Sequence, residues 1–255
     1  MNDATSRAGA GALQAEVLVA VFGVRPVTCT ADPDRRSGRG ELRLETLLWQ
    51  RALEPEAGRW SLPGGVLLGT EDVDSSASRQ LAEKVDLRRV THLEQIGVFS
   101  EPGRSSGSRT IATAFLAVVP TPAATPGAAT DDADLPADTR WHPVEKLPPM
   151  AFDHQQIIER AATRLRGKLS YTNIAFALAP EEFTIAELRQ IYAAALGHDV
   201  DPTNLQRILT RRGMLTATGR TAPPGPTGGR PAALYRFTVT KYRVTDPFAA
   251  FRPRD

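Results

Sequence analysis

Cysteine is almost absent, with Cys29 the only one in 255 residues. That excludes an intrachain disulfide and a zinc cluster built on cysteine, and it fits a reducing compartment. Histidine is scarce as well. The chain has 4, none near another in sequence, so no histidine metal cluster and no Ser-His-Asp arrangement can be argued. No apolar run approaches the ~18 residues of a membrane span. The N-terminal MNDATSRAGAGALQA lacks the basic start and apolar core of a signal peptide. The expectation is a soluble, cytoplasmic protein with no membrane partner. What the chain does contain, 41% hydrophobic and 24% charged residues, is ample for a globular core, and its length suits two domains.

The net charge of +2 conceals an uneven distribution. Between positions 200 and 245, Arg207, Arg211, Arg212, Arg220, Arg230, Arg236, Lys241 and Arg243 face only Asp201, a local excess of +7. Such an excess is the electrostatic footprint of a polyanion partner. A solvated basic face is the alternative.

Residues 1–15 are small and polar and are expected to be disordered. Residues 16–24 and 42–49 are apolar and β-branched like buried strands, with a charged turn at 32–40 between them. A tight approach at 60–65 leads to a helix from about Val73 to Val85. Two further strands are expected at 93–99 and 110–119, joined by a loop at 100–109. The Pro/Ala/Thr-rich 120–136 cannot pack a core and is expected to be an inserted mobile loop. A short strand or turn at 140–143 precedes an amphipathic helix at 152–169 carrying Ile157, Ile158, Ala161, Ala162 and Leu165 inward. His154, at its start, suggests catalysis, but a capping or core role is the commoner one.

Around the first helix, Gly65 is followed after five residues by Glu71 and after seven more by Arg79, which opens Arg79-Gln80-Leu81-Ala82-Glu83-Lys84-Val85-Asp86-Leu87. Helical spacing puts Ala77, Leu81 and Val85 on a buried stripe and Gln80, Glu83 and Lys84 on a neighbouring face. The pattern, with Leu62-Pro63-Gly64-Gly65 before it, resembles the Nudix box; an ordinary amphipathic helix is the alternative. The resemblance implies three glutamates on that second face, binding divalent cations that activate water on a diphosphate. Here the three side chains sum to about zero charge instead of minus three, whereas hard cations need clustered oxygen ligands. Asp86 also stands where the pattern has glycine. A Nudix fold is therefore expected without Nudix hydrolysis, with no catalytic residue, metal or required cofactor. The 100–109 loop resembles one that handles ADP-ribose in Nudix proteins, which makes Arg104 and Arg109 candidates for a diphosphate or ribose. Arg79, Glu83 and Lys84 join them as candidate effector-binding residues, Lys84 supplying some of the charge a metal would have brought.

The C-terminal part opens on Thr184-Ile185-Ala186-Glu187, a capping box. The helix it starts carries Leu188, Ile191, Tyr192 and Ala195 inward and stops at Gly197. Asp201 caps a second helix, with Pro202 in its first turn and Gly213 after its end. Two short helices and a tight turn match the helix-turn-helix. Leu205, Ile208 and Leu209 face inward, leaving Thr203, Asn204, Gln206, Arg207, Thr210 and Arg211 outside, the residue types that read base edges and phosphates. Strands expected at 214–218 and 232–239 flank a Gly/Pro-rich tip and complete a winged helix, adding Arg212, Arg220 and Arg230 as candidate backbone contacts.

The degraded box, together with Leu169-Ser170-Tyr171-Thr172-Asn173-Ile174-Ala175-Phe176 and Gly228-Gly229-Arg230-Pro231-Ala232-Ala233-Leu234-Tyr235-Arg236-Phe237, resembles the Nudix-related transcriptional regulators called NrtR. The resemblance implies a bacterial repressor of NAD biosynthesis or salvage genes. It would bind a palindromic operator in double-stranded DNA as a homodimer and sense ADP-ribose or a related nucleotide. The resulting α+β architecture has a disordered 1–15, an N-terminal Nudix-like α/β/α sandwich domain at 16–168, a C-terminal winged helix-turn-helix domain at 169–245 and a tail at 246–255. Two other readings remain open at this point, an ADP-ribose or nucleoside-diphosphate-sugar pyrophosphatase with an appended winged helix, and a nucleotide-binding scaffold for a protein partner.

Overall fold

The computed structural model describes residues 13–27, 41–105, 108–122, 135–223 and 231–246. The expected charged turn at 32–40, most of the inserted loop at 120–136 and the tail from 247 onward lie outside them.

Strand β1, Gln14–Pro26, organises the N-terminal half. It begins at Gln14, opposite Thr110, so the structured chain starts ahead of residue 16. Because side chains alternate along a strand, Val17, Val19 and Val21 point to one face, and Leu18, Ala20, Phe22 and Val24 to the other. Both faces are buried, so the strand is a continuous apolar run. Its neighbours are β2 (Leu42–Gln50), antiparallel along residues 22–26, then β4 (Gly64–Val66), antiparallel along 16–18. On the other edge runs β6 (Thr110–Val118), parallel to β1, with β5 (His92–Phe99) antiparallel beyond it. Strands β3 (Trp60–Ser61) and β7 (Thr139–Pro143) pair with β2.

Helix α1, Val73–Val85, covers the first face with Ala77, Leu81 and Val85. It is capped by Asp72, whose side chain accepts from the Ser75 N–H at 2.7 Å. It ends at Asp86, which takes the left-handed conformation at φ 50°. Aspartate tolerates that region better than most residues, so the turn usually made by glycine survives its replacement.

Helix α2, His154–Tyr171, covers the second face with the apolar positions expected of it. A 3₁₀ turn, Ile174–Ala177, follows it. The helix-turn-helix pair α3 (Ile185–Leu196) and α4 (Pro202–Arg211) follows next, and then the hairpin of β8 (Leu215–Thr221) and β9 (Ala233–Phe237). Leu188, Ile191, Leu205, Leu209, Met214 and Phe237 belong to the same apolar cluster as Leu18, Phe22 and Ile158. The two halves therefore share one core, and α3 packs directly onto the sheet.

Among the described residues, no helix is long and apolar enough to cross a membrane.

Candidate ligand and nucleic-acid sites

The first candidate site is built where α1 meets the Leu62–Gly65 turn. Gly64 and Gly65 permit a close approach that no side chain allows. A Cβ on Gly64 would stand 2.5 Å from the Val17 carbonyl oxygen, and one on Gly65 would stand 2.7 Å from the Gln80 amide. Gln80 is consequently buried beneath the turn at 3% exposure. It does not share an open face with Glu83 and Lys84, as helical spacing alone suggests.

Arg79 is the hub of the box. It reaches Glu71 at 2.5 Å, Glu83 at 3.0 Å and the Val66 carbonyl at 3.2 Å. The Arg79 guanidinium holds the Glu71 carboxyl down to about 2, helped by the Leu68 N–H. Both surviving carboxylates of the box are therefore ion-paired within it.

The other two arginines proposed for this site are placed differently. Arg104 is 5% exposed and ties its loop to two distant elements, pairing with Glu16 on β1 and with Asp153 at 2.8 Å. Arg109 is half-buried and donates to the Glu101 carbonyl at 3.1 Å and the Ser100 carbonyl at 2.6 Å, so that it closes its own loop.

His154 is buried, and its Nδ1 accepts the Leu62 N–H at 3.1 Å. Burial, with the charges of Arg104 and Arg51 nearby, pushes its pKa down to about 3. It is a neutral acceptor that pins the turn, and it carries no imidazolium charge near neutrality.

Spacing misses Trp49 and Arg51. Trp49 donates its indole N–H to the Leu62 carbonyl at 3.0 Å, and its ring lies under Lys84 at 4.8 Å and Arg51 at 5.9 Å. The only signal in the sequence is the aromatic-basic ending of the second strand, Leu48-Trp49-Gln50-Arg51.

The second candidate site is the outer face of α4. The capping box of α3 closes in both directions, and Gly197 ends that helix at φ 79°. Asp201 caps α4 by accepting from the Asn204 N–H at 2.6 Å. With Leu205 and Leu209 buried, Thr203, Asn204, Arg207, Thr210 and Arg211 stand exposed together. Arg207 donates to the Asn204 side chain at 2.7 Å, which fixes the two side chains relative to each other. Gln206 is half-buried beside the Tyr235 hydroxyl at 3.4 Å.

Arg212 is turned away from this face, bound to the Ser170 carbonyl and to Asp246, each at 2.8 Å. Arg220, on the wing, is exposed but paired with Glu182, which raises its pKa. Arg230 lies outside the described residues. Gly219, at φ 76°, sits in the irregularity between Ala217 and Thr221.

A strap ties the segment after the wing to the N-terminal half. Asn173 donates to the Val239 and Lys241 carbonyls at 3.1 and 2.9 Å and accepts from the Arg243 N–H at 2.7 Å. It thereby fastens the chain after the wing to the end of α2. There Lys168 meets Glu94 of β5 at 2.7 Å and the Tyr242 hydroxyl at 2.6 Å. Burial opposes ionisation of Glu94, but hydrogen bonds from His92 and Lys168 outweigh it and bring the carboxyl to about 2.

A mixed sheet with a box helix on one face and a helix-turn-helix with a basic wing on the other defines a Nudix-type domain joined to a DNA-binding module. The chain matches the NUDIX domain family over residues 35–161 and the NrtR DNA-binding winged helix domain family over residues 175–237. It thus joins a NUDIX domain to an NrtR-type DNA-binding winged helix. It is 28% identical over 216 residues to the ADPR responsive transcriptional repressor NtrR of Acinetobacter baylyi, covering 83% of each chain. The crystal structure of Shewanella oneidensis NrtR complexed with a 27mer DNA superposes with a TM-score of 0.68 at 26% identity, over 88% of this chain and 93% of that one. The ADP-ribose pyrophosphatase of Methanocaldococcus jannaschii is 32% identical over 114 residues, 44% of this chain and 63% of the relative.

Proposed function

We propose that the chain is a transcriptional repressor that grips operator DNA with α4 and its wing and responds to ADP-ribose, or a related nucleotide, bound beside the α1 box. One observation carries the reading. The five exposed polar residues of α4 form a reading face on a helix-turn-helix, and a DNA-bound relative matches 88% of the chain in fold. Thr203, Asn204, Arg207, Thr210 and Arg211 make the direct contacts. Gln206 sits at their margin, Arg220 and Arg230 hold phosphates from the wing, and Arg212 positions α4 from behind. Operators read this way are palindromes, because two recognition helices of a dimer reach successive major grooves about 34 Å apart.

In the Nudix-type domain Arg79, Glu71 and Glu83 brace the box, and Arg104 and Arg109 brace their own loop. The nucleotide is held there without being cleaved. A pyrophosphatase reading is favoured by the Methanocaldococcus relative, but Gln80 and Lys84 stand where that chemistry places carboxylates. Incubation with ADP-ribose and magnesium distinguishes the readings, since steady release of AMP by purified protein would establish the enzyme. A gel shift on the promoter of the protein's own gene tests DNA binding, with a retarded band expected at nanomolar protein and no discrimination from scrambled duplex as the refuting result.

A further inference from the structure

The Nudix fold implies a divalent cation beside the box, and the residues present do not fit one. Among the described residues, no group of three or more His, Cys, Asp or Glu side chains is placed to hold a metal. With its amide nitrogen toward the Gly64 carbonyl, Gln80 donates there at 3.0 Å and accepts from Arg79 at 3.2 Å. An ionised glutamate has no proton to offer that carbonyl, so the amide closes the turn without a metal. Glu71 and Glu83 are both engaged by Arg79.

The remaining box position carries a positive charge. Lys84 lies 4.8 Å from the centroid of Trp49, whose indole stands beside the turn through its hydrogen bond to Leu62. Arg51 flanks the same ring and lies 5.0 Å from that of Phe152. Its Nε donates to the Pro55 carbonyl at 2.9 Å. Among the described residues, neither Lys84 nor Arg51 pairs with a carboxylate. Two cations held by aromatic faces beside the box, with no counter-ion among the described residues, are poised for an anion.

We propose that Lys84 and Arg51, flanking Trp49, form an anion subsite that replaces the divalent cation and binds the diphosphate of a nucleoside-diphosphate ligand without metal. The inference rests on the effector reading above and adds to it which residues hold the ligand and why no metal is needed. Together the two side chains bring the charge that one divalent ion would have brought.

Calorimetric titration of the full chain with ADP-ribose tests it, in EDTA and in magnesium, for parent, Lys84→Gln, Arg51→Gln and a control, Arg88→Gln. Arg88 is an exposed residue paired with Asp86. The parent affinity should be the same in both buffers, fall at least tenfold in the first two variants and be unmoved in the control, and Lys84→Arg should restore binding. An affinity that requires magnesium, or Lys84 and Arg51 variants that bind like the parent, would overturn the proposal.

Manganese titration followed by electron paramagnetic resonance tests the metal half independently of ADP-ribose. No stoichiometric site is expected in the parent, and one should appear in Gln80→Glu/Lys84→Glu. A stoichiometric parent site would refute the replacement. If ADP-ribose fails to bind in either buffer, the effector reading falls, and inorganic pyrophosphate in EDTA then decides the subsite. Binding by the parent that is lost in Lys84→Gln upholds it, and no binding ends it.

Discussion

Replacing His154 by asparagine should flatten the acid limb of the protein's stability. In the folded chain the buried imidazole takes a proton only near a pKa of about 3, against an ordinary value of 6.5. Between those values the unfolded chain binds more protons, so stability falls as pH drops through 6.5 toward 3. Linkage over that depressed pKa gives a loss of about 2 kcal/mol between pH 7.5 and pH 5. For a chain of this length that corresponds to roughly 4 to 8 °C in Tm.

His142 is depressed by burial too and adds in the same direction. Glu71 and Glu94, both held at about 2, matter only below their ordinary 4.5. Comparing variant with parent therefore isolates His154. Asparagine places its side-chain oxygen where Nδ1 accepts the Leu62 N–H, so the turn keeps its hydrogen bond while the titration disappears. A small cavity lowers stability at every pH by a constant amount, which the slope ignores. The assay is urea denaturation at several pH values from 7.5 to 5. The His154→Asn variant should lose about 2 kcal/mol less than the parent over that range. Equal slopes would mean that His154 is already charged, or exposed, in the folded state.

Four further substitutions probe the other elements. Arg207→Ala should cost about 1 to 3 kcal/mol on the correct operator and flatten discrimination at one or two base pairs. Arg230→Ala should weaken operator and random duplex alike and reduce the salt slope by roughly one unit; titrations at several salt concentrations separate the two. Asn173→Ala removes three hydrogen bonds that fasten the segment after the wing. It should cost roughly 2 to 4 kcal/mol in denaturant melts, with faster amide exchange at Arg243. Gly64→Ala drives a methyl group against the Val17 carbonyl and Leu18, and thermal melting should show a loss of about 1 to 3 kcal/mol.

Local rules make much of this molecule legible. The caps at Thr184 and Asp201, the stop at Gly197 and the limits of α1 each depend on residues a few positions apart, and the structure has them where spacing puts them. What spacing cannot supply is contact between distant segments. Arg104 reads as a loop cation because its partners lie 49 and 88 residues away. Arg212 reads as a DNA contact because Asp246 is 34 residues further on. Gln80 falls on the polar side of a helical wheel, yet two glycines let the preceding turn close over it. Lys84 and Arg51 meet at Trp49 only once β2 is laid beside the box helix. The continuity of the core between the two halves is equally hidden, since nothing in a helix-turn-helix pattern says what its first helix rests on.

The sheet lies between the box helix and the core shared with the winged helix, and through it a nucleotide at the box would reach α4. If it does, binding at the two sites must be reciprocal. The decisive measurement is the affinity of purified protein for its operator with and without saturating ADP-ribose, together with the affinity for ADP-ribose with and without operator. The account predicts a change of about 5- to 150-fold, by the same factor in both directions. Operator affinity indifferent to bound ADP-ribose would contradict it.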